Sequence, residues 1–284
     1  MEESKLAVNT RIQMEKIIYD IGMHAGRDTE FYLKKGFKVV AIEANPALVE
    51  KATIKFKEAI STGRLIIIDK AIAPAGVDTI EFYTNEKHDD WGTIVPDWNR
   101  GQDAGFKSII VQTVQLQTII DTYGVPYYMK IDIEGADTLC LQSLLQMKVT
   151  HEYLSIELLT PNNYKNKHVD CLENLFYLYA MGYRKFKISD QTALGNIKLP
   201  NPASEGNYAD FNFAGGVVSG PFGKELEGPL LTIDQISKKY LSYFYSSPGF
   251  IKGMLVKVFQ KAGISVVKKG DFHSNGWFDV HAYK

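Results

Sequence analysis

The chain has 284 residues, with 32 Lys and Arg against 33 Asp and Glu, for a net charge of −1. That balance supplies no basic excess for a nucleic-acid backbone, and no run approaches the roughly 20 apolar residues of a membrane span. Two cysteines, Cys140 and Cys171, stand outside any C-x-x-C or metal spacing and read as free thiols of a reducing compartment.

Residues 1–15 are expected to form an N-terminal arm on a single domain covering 1–284. The opening MEESKLAVNT is polar and has no apolar signal core, so the expected location is cytoplasmic. An apolar run at 16–20 then ends in Asp20 and enters a turn, Ile21-Gly22-Met23-His24-Ala25-Gly26. Asp28 or Thr29 is placed to cap a helix carrying Phe31, Tyr32 and Leu33. A second apolar run at 38–43 ends in Glu43, and Asn45-Pro46 opens a helix expected to reach about residue 60. Strand, tight turn, helix and parallel strand, with an acid closing each strand, form a ribose-binding unit: the second acid accepts bonds from sugar hydroxyls.

A dinucleotide needs bare backbone for its pyrophosphate. Here Met23 and His24 fill that space and Asp20 precedes the first glycine, a form suited to a phosphate-free cation such as S-adenosylmethionine. A nicotinamide-dependent dehydrogenase is the rival enzyme, and a cofactor-binding module without catalysis is the rival outside enzymology. His24 either faces the ligand or is hydrogen-bonded into its own turn.

Further apolar runs at 65–69, 127–132 and 152–158 read as parallel strands buried on both faces, whereas 79–83 and 109–117 alternate as an inserted, exposed hairpin. In the fourth core strand, alternation sends Lys130, Asp132 and Glu134 to one side. Two carboxylates and an ammonium there can orient a hydroxyl and take its proton. The purely structural alternative has Asp132 capping the next helix and Lys130 neutralising it. Glu157, closing the fifth strand, points at the same edge. With it a divalent-metal site of the catechol-methyltransferase type is conceivable, but no Asn follows to complete that set, so no metal ligand is assigned.

A helix is expected over 167–181 with Gly182 as its cap. Residues 189–232 hold seven of the 23 glycines and four of the ten prolines, yet keep Phe211, Phe213 and Phe222, and read as a substrate lid. A helix over 232–245 and a closing strand at 277–282 follow. Asp279 and His281 share a face of that strand and suggest a buried structural contact, while His88, His151, His168 and His273 read as surface residues. Trp91 either closes over substrate or anchors its loop.

The runs DIGMHAG (20–26), VVAIEANP (39–46) and KIDIEGAD (130–137) resemble the FkbM-like methyltransferases, class I S-adenosylmethionine-dependent enzymes that mostly methylate hydroxyls of sugars or polyketides. The likeness extends to IIIDKAIA (66–73), SGPFGKELEGP (219–229) and WFDVHA (277–282). It implies an α/β, Rossmann-like sheet of seven strands, mostly parallel, whose last, antiparallel strand lies beside the fifth. It also implies that Asp20, Gly22, Met23, His24 and Gly26 line the methionine and ribose side, and that Glu43 binds the ribose with Asn45 nearby. Asp69 would reach the adenine amine, with Ala71 packed beside it and Asp132 completing the cofactor site. The acceptor is expected to be a glycan or other small molecule, and the candidate bases are Asp132, then Glu134, then His24. Many relatives carry Asn where His24 stands.

Overall fold

The computed structural model describes residues 16–96, 105–158, 168–214, 218–246 and 277–284. The N-terminal arm and His273 lie outside them, as do residues 215–217 of the expected lid. Ten strands are described: β1 (Ile17–Ile21), β2 (Lys38–Glu43), β3 (Leu65–Asp69), β4 (Ala71–Ile72), β5 (Thr79–Asn85), β6 (Phe106–Val114), β7 (Tyr128–Ile131), β8 (Tyr153–Leu158), β9 (Lys185–Asp190) and β10 (Phe278–Tyr283). Seven helices accompany them: α1 (Arg27–Lys34), α2 (Pro46–Lys55), α3 (Lys57–Ser61), α4 (Leu116–Tyr123), α5 (Asp137–Met147), α6 (His168–Ala180) and α7 (Ile233–Ser246).

Seven strands form one sheet in the order β3-β2-β1-β7-β8-β10-β9. The pairs from β3 through β8 are parallel, and β10 runs antiparallel to both β8 and β9. The expected seven-stranded, mostly parallel sheet is therefore present, with its last strand reversed beside the fifth. Alternate side chains enter opposite layers, as a doubly covered sheet requires. Ile18, Val39 and Ala41 join one buried cluster, whereas Tyr19, Ile21, Val40 and Ile42 join the other.

Chain order runs outward from β1 to β3 on one side and resumes at β7 on the other. The crevice between β1 and β7 is thus the switch point, the place where open α/β sheets bind ligands. The inserted hairpin pairs β5 with β6 antiparallel, and β4 joins β6 in a separate three-stranded sheet.

Local chemistry departs from the sequence reading in four places. Neither Asp28 nor Thr29 caps α1: Gly26 does, at φ 71, because the chain leaves the turn left-handed. Thr29 Oγ1 instead donates to Asp20 at 2.6 Å, and Asp28 accepts the Ser219 N–H. The helix expected to reach residue 60 breaks at Phe56, whose buried ring fills the space beside Gly26. His281 is buried but makes no bond to Asp279, which accepts from Gln191 at 2.9 Å. His151 is only 3 % exposed rather than on the surface, with neither ring nitrogen hydrogen-bonded.

Burial pushes the His151 imidazole down to about 3, with Lys284 adding to the effect. The unfolded chain, titrating near about 6.5, binds the extra proton between those values, so this histidine's contribution to stability is lost as pH falls through that window. A His151→Gln variant removes it. Its melting temperature should gain on the native protein's as pH is lowered from neutral towards 4, in paired thermal scans. A constant difference would refute the assignment.

Part of the described segment, 189–214 and 218–232, packs into the core. Phe213, Val218 and Phe222 are buried in the layer that holds Phe31 and Tyr32, and Phe222 stacks on Tyr128 at 4.2 Å with an interplanar angle of 6°. The Lys35–Glu225 ion pair, 2.8 Å long with both side chains 1 % exposed, ties the segment to the end of α1. Gly182 follows α6 at φ 101, and the Tyr183 N–H closes the turn on the Leu178 carbonyl, the cap expected for it. Among the described residues, no helix is long and apolar enough to cross a membrane.

Candidate active site

The β1–α1 turn is built by close backbone approach. Gly22 sits at φ +84, and a Cβ there would lie 1.8 Å from the Asp132 carbonyl oxygen. Its N–H and that of Met23 both donate to the Ile42 carbonyl at 3.0 Å, while the Asp132 N–H donates to Ile21 at 2.9 Å. β1, β2 and β7 are thereby locked at their carboxyl ends. Gly22→Ala should cost about 2–4 kcal/mol and weaken cofactor binding, read by denaturant unfolding and calorimetry. Native stability in that variant would contradict the packing.

A cavity opens over this edge. Its lining is apolar at Ala44, Leu48, Ala71, Ile72, Phe82 and Ile94 and polar at His24, Asp28, Asp89, Lys130, Asp132 and Glu134. Glu43 lies in the wall, 8 % exposed, and accepts the His24 N–H at 2.7 Å and the Asn45 N–H at 2.9 Å. Burial pushes its carboxyl above the ordinary range, against those two bonds. A carboxylate has about four acceptor sites, so capacity beyond these bonds remains for a ligand.

Of the residues named from sequence, Gly22, Met23, His24, Glu43, Asn45, Ala71, Asp132 and Glu134 line this cavity. Asp20, Gly26 and Asp69 are not in its wall. Asp20 is fully buried beneath it, Gly26 packs on Phe56, and Asp69 is exposed at the tip of β3. Phe82, Ile94, Asp89 and Asp90 went unnamed as site residues because they come from the inserted hairpin, and no local motif shows that it folds back over the main sheet. Trp91 stacks on His88 at 3.8 Å within that connection.

Beside the cavity one cation serves three acids. Lys130 Nζ, buried, lies 3.5 Å from Asp20, 3.3 Å from Asp28 and 3.5 Å from Asp132. Burial pulls its ammonium down, yet those carboxylates together hold it well above the usual lysine range. Burial likewise raises the Asp20 carboxyl. Asp137 is pushed up to about 6 and Asp279 to about 7, each mainly by burial and then by the Asp132 charge. The site thus holds more buried negative charge than its own cation balances.

Asp132 does not cap α5. That helix begins at Ala136 without a side-chain cap, and Asp137 accepts the Ile133 N–H. Strand alternation also ends at Ile131, and Glu134 adopts φ 48, so a turn rather than a pleat brings it to the cavity. Asp132, Glu134 and Glu157 each place a carboxylate oxygen within 4.8 Å of the others. This is a set of hard oxygen donors of the kind that suits a divalent cation.

Six parallel strands and one reversed strand, in this order, define the Rossmann-like class I methyltransferase fold. Residues 20–185, more than half of the chain, match the methyltransferase FkbM domain, and the chain belongs to that family. It is an S-adenosylmethionine-dependent methyltransferase, and the dehydrogenase and non-catalytic alternatives give way to that assignment.

Among solved structures, the chain is similar to a precorrin-6y C5,15-methyltransferase from Geobacter metallireducens, at 12 % identity over 63 % of this chain and 69 % of that one, with a TM-score of 0.35. A putative rRNA-methylase from Clostridium thermocellum is 12 % identical over 68 % and 82 %, with a TM-score of 0.35. An rRNA methylase from Streptococcus thermophilus is 15 % identical over 66 % and 82 %, with a TM-score of 0.34. No curated protein matches the chain.

Proposed function

We propose that this enzyme methylates a hydroxyl of a sugar, glycan or similar small molecule, with Asp132 as the base. The observation that carries the reading is the position of Asp132. It stands past the end of β7 at the switch point, in the wall of the cavity that also holds Glu43, and 3.5 Å from buried Lys130. A neutral hydroxyl must lose its proton as it attacks, and a carboxylate at that edge can take it. The FkbM resemblance supports the sugar-like class of acceptor.

The cavity's chemistry fits the methyl donor. Its apolar side chains, Phe82 and Ile94 among them, suit adenine, and the remaining lone pairs of Glu43 suit ribose hydroxyls. Met23 and His24 would border the methionine end, and the acids around Lys130 suit a cation. Bound there, S-adenosylmethionine supplies a methyl already activated for in-line displacement. The residues of this chain mainly hold the two reactants in line, and Asp132 accepts the acceptor's proton as its oxygen is methylated. Glu134 and His24 stand as second and third candidates for that proton.

For residues 189–232 we propose an acceptor-side role, exerted from behind the cavity wall. Ser219 donates to Asp28, and Arg27 donates to the Asn212 and Ala214 carbonyls at 2.9 and 3.2 Å. Asp28 and Arg27 both line the cavity.

Calorimetric titration with S-adenosylmethionine, S-adenosylhomocysteine and NADH tests the cofactor site, and a labelled-methyl screen beginning with sugar hydroxyls tests the acceptor. We expect micromolar binding of the first two ligands, none of NADH, and transfer to oxygen. Transfer to nitrogen or to RNA in place of any hydroxyl would overturn the proposed acceptor.

A further inference from the structure

The connection after β5 is braced internally and is held to β6 by the Glu86–Lys107 ion pair. Asn85, buried, accepts the Lys87 and His88 N–H groups at 2.9 and 3.2 Å. The chain then makes a short 3-10 turn over Asp89–Trp91 and pairs back, with Thr93 and Tyr83 exchanging both backbone bonds at 2.8 and 3.1 Å. Asp89, Asp90, Gly92 and Ile94 line the cavity, so this turn forms one of its walls. Two ties from this turn end on loops of the main sheet's ligand edge. Thr93 Oγ1 donates to the Glu134 carbonyl at 2.7 Å. His24 Nε2 donates to Asp89 Oδ1 at 3.1 Å, and His24 is itself fixed by its N–H bond to Glu43.

We infer that Asp89 is a positioning residue for the methyl donor, acting through His24 to hold the 88–94 turn against the bound cofactor. The inference rests on the cavity being the cofactor site. The acid is on the turn, its partner is on the glycine loop, and the contact spans the cavity wall. When it is absent the turn keeps its internal bracing and its Thr93 tie but loses the bond to the glycine loop. Release of cofactor and of demethylated product should then be faster, while the chemistry at Asp132 is unchanged.

The side chains of His24 and Asp89 are 26 % and 53 % exposed, so a variant at Asp89 has little bearing on folding. Asp89→Ala, His24→Ala and the double variant should be compared with Glu86→Gln, which removes an acid from the same connection without touching His24. Stopped-flow release of S-adenosylhomocysteine, followed by tryptophan fluorescence, reads the effect directly. The expected result is release about three- to tenfold faster in Asp89→Ala, with the double variant releasing no faster than His24→Ala. Glu86→Gln should release at the native rate, and Asp89→Asn, which keeps an acceptor oxygen, should recover most of the difference. The Michaelis constant for the cofactor should rise while kcat does not fall. Equal release from native and Asp89→Ala proteins, or additive effects in the double variant, would overturn the latch alone. A native protein that binds neither adenosyl ligand would overturn the cofactor reading and the latch with it.

Discussion

Replacing Asp132 by asparagine should lower kcat for methyl transfer by about 10²–10⁴-fold, the usual contribution of a positioned base. S-adenosylmethionine binding should stay within a few-fold of native. Asparagine keeps the size and an acceptor oxygen but cannot take a proton, so the backbone contacts that fix Gly22 and Ile21 to this position persist. Calorimetry paired with single-turnover kinetics separates the two quantities. If Glu134→Gln produced that loss and Asp132→Asn did not, the base would be reassigned to the turn. If turnover were native in both, neither carboxylate would take the proton.

Lys130→Met should be the most destabilising single change at the site. The lysine is 4 % exposed and is the shared counter-charge of Asp20, Asp28 and Asp132. Its removal leaves buried carboxylates uncompensated, at a cost of about 3–5 kcal/mol, or on the order of 10 °C in melting temperature for a chain of this size. The sign with pH follows. Buried acids without their cation bind protons more readily folded than unfolded, so the variant's stability should recover as pH falls towards the carboxylate range. Adding Asp20→Asn should restore part of the loss at neutral pH. A loss below about 1 kcal/mol, independent of pH, would mean that the acids do not depend on Lys130.

The surplus of buried acid has a consequence for function. Asp137 and Asp279 are held near 6 and 7 by burial and by Asp132. A raised carboxyl lends stability that is complete below its unfolded value and is lost as pH rises through the folded one. These two groups therefore lend less stability at neutral pH than in acid, and a cation bound beside Asp132 should raise the melting temperature.

Much of this was legible in sequence. The strands that end in Asp20 and Glu43 are apolar runs closed by acids, and burial on both faces is written in their Ile and Val content. The reversed final strand beside the fifth came from resemblance to a family, not from periodicity. Other features were hidden because they depend on distant groups. His151 looks like a surface histidine until the fold buries it. Asp28 looks like a helix cap until Ser219, 191 residues away, claims its carboxylate.

By itself the sequence indicated most of the core strands, the acid-closed glycine turn and the family, because local periodicity and spacing fix which residues share a strand end. The tertiary structure decided which of those residues face one cavity. It placed Asp20 under the floor with Lys130, left Asp69 outside, and brought Phe82 and Asp89 from an inserted hairpin into the wall. The reason is physical. Close approach of Gly22 to Asp132 and the fold-back of the hairpin are contacts between segments far apart in the chain, and no local pattern of residues records them.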